Sequence, residues 1–138
     1  MDFEKLRELR NRENPFAAFV GIVVTEIREG FAQAELSIRP ELLNPVSMAH
    51  GGALFTLADV AAGAAASSFG TKAVTVTGEY QYLAAAPNAQ KLIATAQCLR
   101  VGGTILPFDV EVRTEDGTLV GKSSFTIYRL KKEVIILD

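Results

Sequence analysis

Between Gly51 and Gly70 the chain reads GGALFTLADVAAGAAASSFG, an alanine-rich run with a single charge, Asp59. Such a run predicts a long helix that is apolar on nearly every side, and a helix of that kind is buried. The rest of the chain must supply its cover. That cover reads as strands: alternating or β-branched segments bounded by glycine, proline and Asp-Gly turns. One buried helix inside a chain of tightly turned strands predicts an α+β domain, an antiparallel sheet with the helix on its concave face.

Along the chain, Asp2 to Glu13 is charged with Phe3, Leu6 and Leu9 at three-residue spacing, which predicts a short amphipathic helix. Asn14-Pro15 ends it. Two strands follow, joined near Glu29-Gly30; in the second, Ala32, Ala34, Leu36 and Ile38 alternate with polar residues. A loop with two prolines, PELLNPVSMA, leads into the apolar helix. Four more strands come after it: TKAVTVTGEYQYLAAA, KLIATAQCLRV, TILPFDVEVRT and TLVGKSSFTIYRL. Pro107 predicts a bulge or an edge position, and Asp116-Gly117 a hairpin. Residues 131–138, KKEVIILD, extend the last strand or pack on a partner subunit. With 138 residues and no linker or repeat, the whole of 1–138 reads as one domain.

Several functions are excluded by composition. A net charge of −2 leaves no basic excess for nucleic acid or an anionic membrane. Cys98 is the only cysteine and reads as a core residue. With no disulfide and no secretion signal in MDFEKLRELRNREN, a cytoplasmic location is expected. Asp59 and the dominance of Ala and Gly argue against a membrane span. One histidine and one cysteine make no recognisable metal site. DGTLVGKS has one residue too few for a phosphate loop and lies in a hairpin.

The chemistry therefore concentrates on the turn and helix around His50-Gly51-Gly52 and Asp59. The first N–H groups of a helix lack intrahelical partners and sit at the positive end of its dipole. Glycines there let a ligand approach, which suits an anion or a carbonyl oxygen that gains charge. HGG is otherwise a tight turn into a helix. Asp59 reads either as a buried carboxylate capped by a strand hydroxyl such as Thr75, or as a general base or nucleophile. Its face continues into Ala62, Gly63 and Ala66, bare enough for a ligand or a second helix. Asp59 lies roughly 12 Å along the axis from Gly51, too far for one helix to serve one reacting carbon. Two antiparallel copies bring Asp59 of one subunit to Gly51 of the other, which predicts a two-fold dimer.

NPFAAFVGI, LLNPVSMAHGGALFTLADVA and VTVTGEYQYL together resemble the hotdog-fold acyl-CoA thioesterases of the phenylacetyl-CoA type, over roughly Asn14 to Arg129. The most specific signal is Asn44, HGG six residues on, and the aspartate nine residues past the histidine. The resemblance implies a hotdog fold, an antiparallel sheet wrapped around one long helix, in dimers or dimers of dimers. It implies an acyl-CoA substrate, no cofactor, and catalytic roles for Asp59, Gly51, Asn44 and His50. Gly52, Thr75 and Tyr82 are the candidate substrate-binding residues. Phe16, Phe19 and Phe55 read as core or pocket lining; Lys72 and Arg100 are candidates for CoA phosphates. Pro87 and Pro45 depart from the family pattern without touching Asp59 or Gly51. The competing readings are a hotdog hydratase or dehydratase, and a non-catalytic acyl-CoA-binding regulator.

Overall fold

The computed structural model describes residues 1–137; Asp138, the last residue of the expected C-terminal extension, lies outside them. The elements run α1 (Phe3–Arg12), α2 (Pro15–Val20), β1 (Ile22–Arg28), β2 (Phe31–Ser37), α3 (Gly51–Ser67), β3 (Thr71–Tyr82), β4 (Lys91–Cys98), β5 (Ile105–Thr114) and β6 (Leu119–Glu133). The strands form one antiparallel sheet in the order β1-β2-β4-β5-β6-β3. This is the expected α+β hotdog arrangement, with α3 packed on the sheet.

Close approach of α3 follows from residue size. At the centre of the sheet, Ala32 and Ala34 of β2 and Ala94 and Ala96 of β4 are fully buried. They share one buried cluster with Ala58, Ala61, Ala62 and Ala65 of the helix, also fully buried. Larger side chains close the two ends: Leu36 and Leu92 on one side, Phe108, Val110, Phe125 and Ile127 on β5 and β6. Each such burial stabilises by roughly 1.5–3 kcal/mol for a Val, Leu or Phe.

Three expectations need correction. Asn14-Pro15 does more than stop α1. Asn14 caps a second helix, its Oδ1 accepting from Ala17 N–H at 3.1 Å, and Pro15 takes the first helical position where no N–H is needed. Pro107 lies neither at an edge nor in a bulge: β5 is an interior strand. Its ladder with β4 ends at Cys98–Phe108, and just beyond it Leu99 N–H still donates to Pro107 C=O at 2.9 Å, so proline forgoes only the return bond at the ladder's end. Phe16 and Phe19 are not core residues; they stand 61% and 80% exposed on α2.

The sheet's two edges differ. On β1, Asn11 of α1 donates to Val24 C=O at 2.9 Å and accepts from Val24 N–H at 2.8 Å, which blunts that edge and pins α1. Among the described residues no strand pairs with the outer side of β3 over its 12 residues, and Val74 and Val76 are about half-exposed there (50% and 56%). Part of the C-terminal extension continues β6, and Val134 N–H bonds Gly70 C=O at 2.9 Å. No helix among the described residues is long and apolar enough to cross a membrane.

Candidate functional site

The start of α3 uses its free donors unevenly. His50 is the N-cap: its Nδ1 accepts from Gly52 N–H at 2.8 Å, and its carbonyl accepts from Ala53 (2.9 Å) and Leu54 (3.2 Å). Gly51 N–H alone in that first turn has no acceptor among the described residues. Gly51 lies tight under Tyr82: a Cβ would meet its ring and hydroxyl at 3.0–3.2 Å, so Tyr82 would have to give by a few tenths of an ångström. Tyr82 Oη in turn donates to Gly51 C=O at 3.0 Å. The result is one exposed-side amide donor at the positive end of a 17-residue helix. Gly52, expected to meet substrate, spends its N–H on the cap.

Asn44 shapes the preceding loop. Its Oδ1 accepts from Val46 N–H and Met48 N–H, both at 3.0 Å, while its own N–H bonds Met48 C=O at 2.7 Å. Two donors on one atom identify it as the oxygen, so the amide NH2 is turned away from the loop backbone and has no partner there. Ser47 adopts φ 60° to close this turn. A cavity of about 280 Å³ opens beside it, lined by Asn44, Tyr82 and apolar residues including Leu43, Met48, Leu54 and Leu92.

Asp59 lies on the next face along α3, two turns further on. It is half-buried in the protomer, so the fully enclosed carboxylate expected from the apolar sequence is not observed. The open β3 edge is the reason, because the helix face beside that edge has no cover. Thr75 Oγ1 donates to Asp59 Oδ1 at 2.7 Å, the strand-hydroxyl contact anticipated above. Oδ2 has no hydrogen-bond partner among the described residues. Thr75 is aimed there beside a β-bulge: it pairs with Ile127 and Thr77 with Thr126, leaving Val76 extra. A carboxylate with one oxygen held and one free is set up to take a proton or attack a carbon.

Asp59 and Gly51 are not brought together within one protomer; eight residues of one helix keep them roughly 12 Å apart. Two partners went unread in the sequence. Gly78 on β3 is bare because Phe55 and Phe125 pack there edge-to-face, ring centres 5.4 Å apart. Gly63, read as a ligand or helix contact, is covered by the guanidinium of Arg10 from α1. Only the bare glycine signalled this; its occupant comes from a distant segment. Of the two cations suggested for CoA phosphates, Lys72 lines a cavity beside Arg10 and Arg100 sits exposed after β4. Cys98 is half-buried, and burial pushes its thiol pKa up, against reactivity.

Comparison with known proteins places this geometry. The thioesterase superfamily profile matches residues 47–121, which span the HGG turn, α3, β3 and the strands after it. The acyl-coenzyme A thioesterase PaaI of Escherichia coli is 33% identical over 96 residues, 70% of this chain and 69% of that protein. The structure of the E. coli PaaI protein of the phenylacetic acid degradation operon superposes with a TM-score of 0.89 at 26% identity, covering 96% of this chain and 98% of that one. A thioesterase-like protein of Streptococcus pneumoniae, solved with coenzyme A, superposes at 0.81 with 27% identity over 92% and 98% of the two chains.

Proposed function

This chain belongs to the thioesterase superfamily, and on that premise we propose that it hydrolyses acyl-CoA thioesters at sites completed by a second copy of itself. The observation that carries the reading is the pair of unspent groups on α3: the Gly51 N–H and the free Oδ2 of Asp59. The thioester carbonyl accepts from Gly51 N–H, which stabilises the oxyanion as it forms. Asp59 of the facing subunit activates a water, or attacks the carbonyl itself. Thr75 holds that carboxylate in position. The Asn44 amide NH2 adds a donor near the carbonyl, and His50 acts by fixing the turn. The acid and free CoA leave; water is the only other reactant, and no cofactor takes part.

The open β3 edge supports the dimer. An antiparallel edge-to-edge contact about a two-fold axis covers Val74 and Val76 and sets the two α3 helices antiparallel across the seam. It also covers the half-exposed Asp59. Coenzyme A in the S. pneumoniae relative supports the choice of thioester. His50 spends Nδ1 on Gly52, so a hydratase with histidine as its base finds no support in this geometry. The test is thiol release from a panel of acyl-CoAs by the wild type and by Asp59→Asn. Hydrolysis that survives the substitution overturns the role of Asp59; no hydrolysis of any acyl-CoA overturns the activity.

A further inference from the structure

Arg10 brings α1 onto the helix that carries Asp59 with its charge unanswered. The Asn11–Val24 bonds hold α1 in place, and the Arg10 side chain reaches Gly63, where a Cβ would lie 3.2 Å from Nη2. Nε is buried without a hydrogen-bond partner among the described residues. Among the described residues no carboxylate lies within ion-pair distance; Asp59 and Glu13 act on it only from farther away. Burial dominates, and the guanidinium pKa is pushed down. Arg10 is half-buried as a whole with its Nε enclosed, and a guanidinium drawn partly out of water is ordinarily met by an anion.

We infer that Arg10 receives a carboxylate at the far end of the acyl chain, so that the preferred substrates are CoA thioesters of dicarboxylic acids. The inference rests on the thioesterase reading. Gly63 follows Asp59 by one turn, about 6 Å along the axis. The thioester carbon must come within ~3 Å of Asp59 or its water. The group that meets Arg10 therefore lies only a few bonds from the thioester, on the acyl side. The long pantetheine arm carries the CoA phosphates well beyond that reach. A neighbouring cavity of about 280 Å³ offers matching chemistry: Leu9, Ala73, Val74 and Leu130 for methylenes, with Arg10 and Lys72 as cations and Glu13 the one acid. A guanidinium is the side chain best shaped to take a carboxylate through two parallel hydrogen bonds.

The experiment compares kcat/KM for glutaryl-CoA against pentanoyl-CoA and adipyl-CoA against hexanoyl-CoA, in the wild type, Arg10→Gln and Arg10→Lys. The wild type is expected to favour the carboxylated member of a pair at least tenfold. Arg10→Gln is expected to cut that ratio at least tenfold, and Arg10→Lys to keep part of it. Glutaryl-pantetheine, which lacks the distal phosphates, is expected to show the same dependence on Arg10. A wild type that favours the neutral chain overturns the inference. So does an Arg10→Gln loss equal for both members, which makes Arg10 a structural part, or a dependence that vanishes with pantetheine thioesters, which assigns it to phosphate. If Arg10→Gln does not fold, the wild-type and Arg10→Lys ratios decide. Neutral and carboxylated chains hydrolysed without preference overturn the inference and leave the thioesterase reading standing; no thiol release from any thioester removes both.

Discussion

Thr75 donates its hydroxyl to Asp59 Oδ1 at 2.7 Å, so one carboxylate oxygen is held by the sheet edge and the other is left free. The strand thus sets the angle at which the helix presents its only charge. Removing the hydroxyl by Thr75→Val is expected to lower kcat about tenfold, the scale of one hydrogen bond to a charged group. Thr75→Ser should restore most of it. Steady-state kinetics of the two variants measure this; equal loss in both would point to β3 packing instead.

Asp59→Asn keeps the shape and an acceptor for Thr75 but removes the base. A fall of about 10²–10⁴-fold in kcat is expected, with KM little changed. Single-turnover thiol release measures it directly.

Gly51→Pro deletes the amide N–H that this account gives to the thioester oxygen. Proline suits the first helical position, and His50, at φ −64° and ψ 138°, already has the extended backbone that precedes proline. Tyr82, 58% exposed, must give by only a few tenths of an ångström. A folded protein with kcat lowered about 10²–10³-fold is expected, read by circular dichroism together with kinetics.

His50 is a cap by geometry. His50→Ala is expected to cost about 1 kcal/mol of stability, and His50→Asn, a good cap, to recover most of it. Thermal denaturation separates this from chemistry: if His50→Asn restores both Tm and turnover, the histidine acts only through the turn.

The fold was legible because its two periodicities are clean. The apolar run 53–67 can only be an enclosed helix, and the alternation in β2, β4 and β5 marks the faces that enclose it. Local signals with two meanings failed. Asn-Pro stops one helix and also starts the next, and Pro107 reads as an edge marker although it sits at the last bonded position of an interior ladder. The candidate site was half legible. HGG and Asp59 stand out by spacing and by isolation of charge. The Arg10–Gly63 contact joins segments fifty residues apart and leaves only a bare glycine as a trace. The exposure of Asp59 depends on which sheet edge stays open, a property of the strand order and not of any local stretch.

Glu115 offers a pH test of the fold. Its carboxylate accepts from Gln90 N–H at 3.0 Å and Lys91 N–H at 3.2 Å, and the Gln90 bond chiefly holds its pKa below the usual value. A pKa lowered by folding stabilises above the unfolded value, ~4.3, and that contribution is lost as pH falls through the folded value. The Tm difference between wild type and Glu115→Gln should therefore be present at pH 6–7 and shrink below about pH 4.

The central claim is that each site takes Gly51 from one subunit and Asp59 from the other. Mixing refolded Asp59→Asn and Gly51→Pro subunits tests it most directly. A mixed dimer then has one site with both defects and one with neither. Activity is predicted to rise from the low level of either parent toward half the wild-type rate per mixed dimer. A mixture that stays at the parental level, with mixed dimers demonstrably formed, would contradict the shared site.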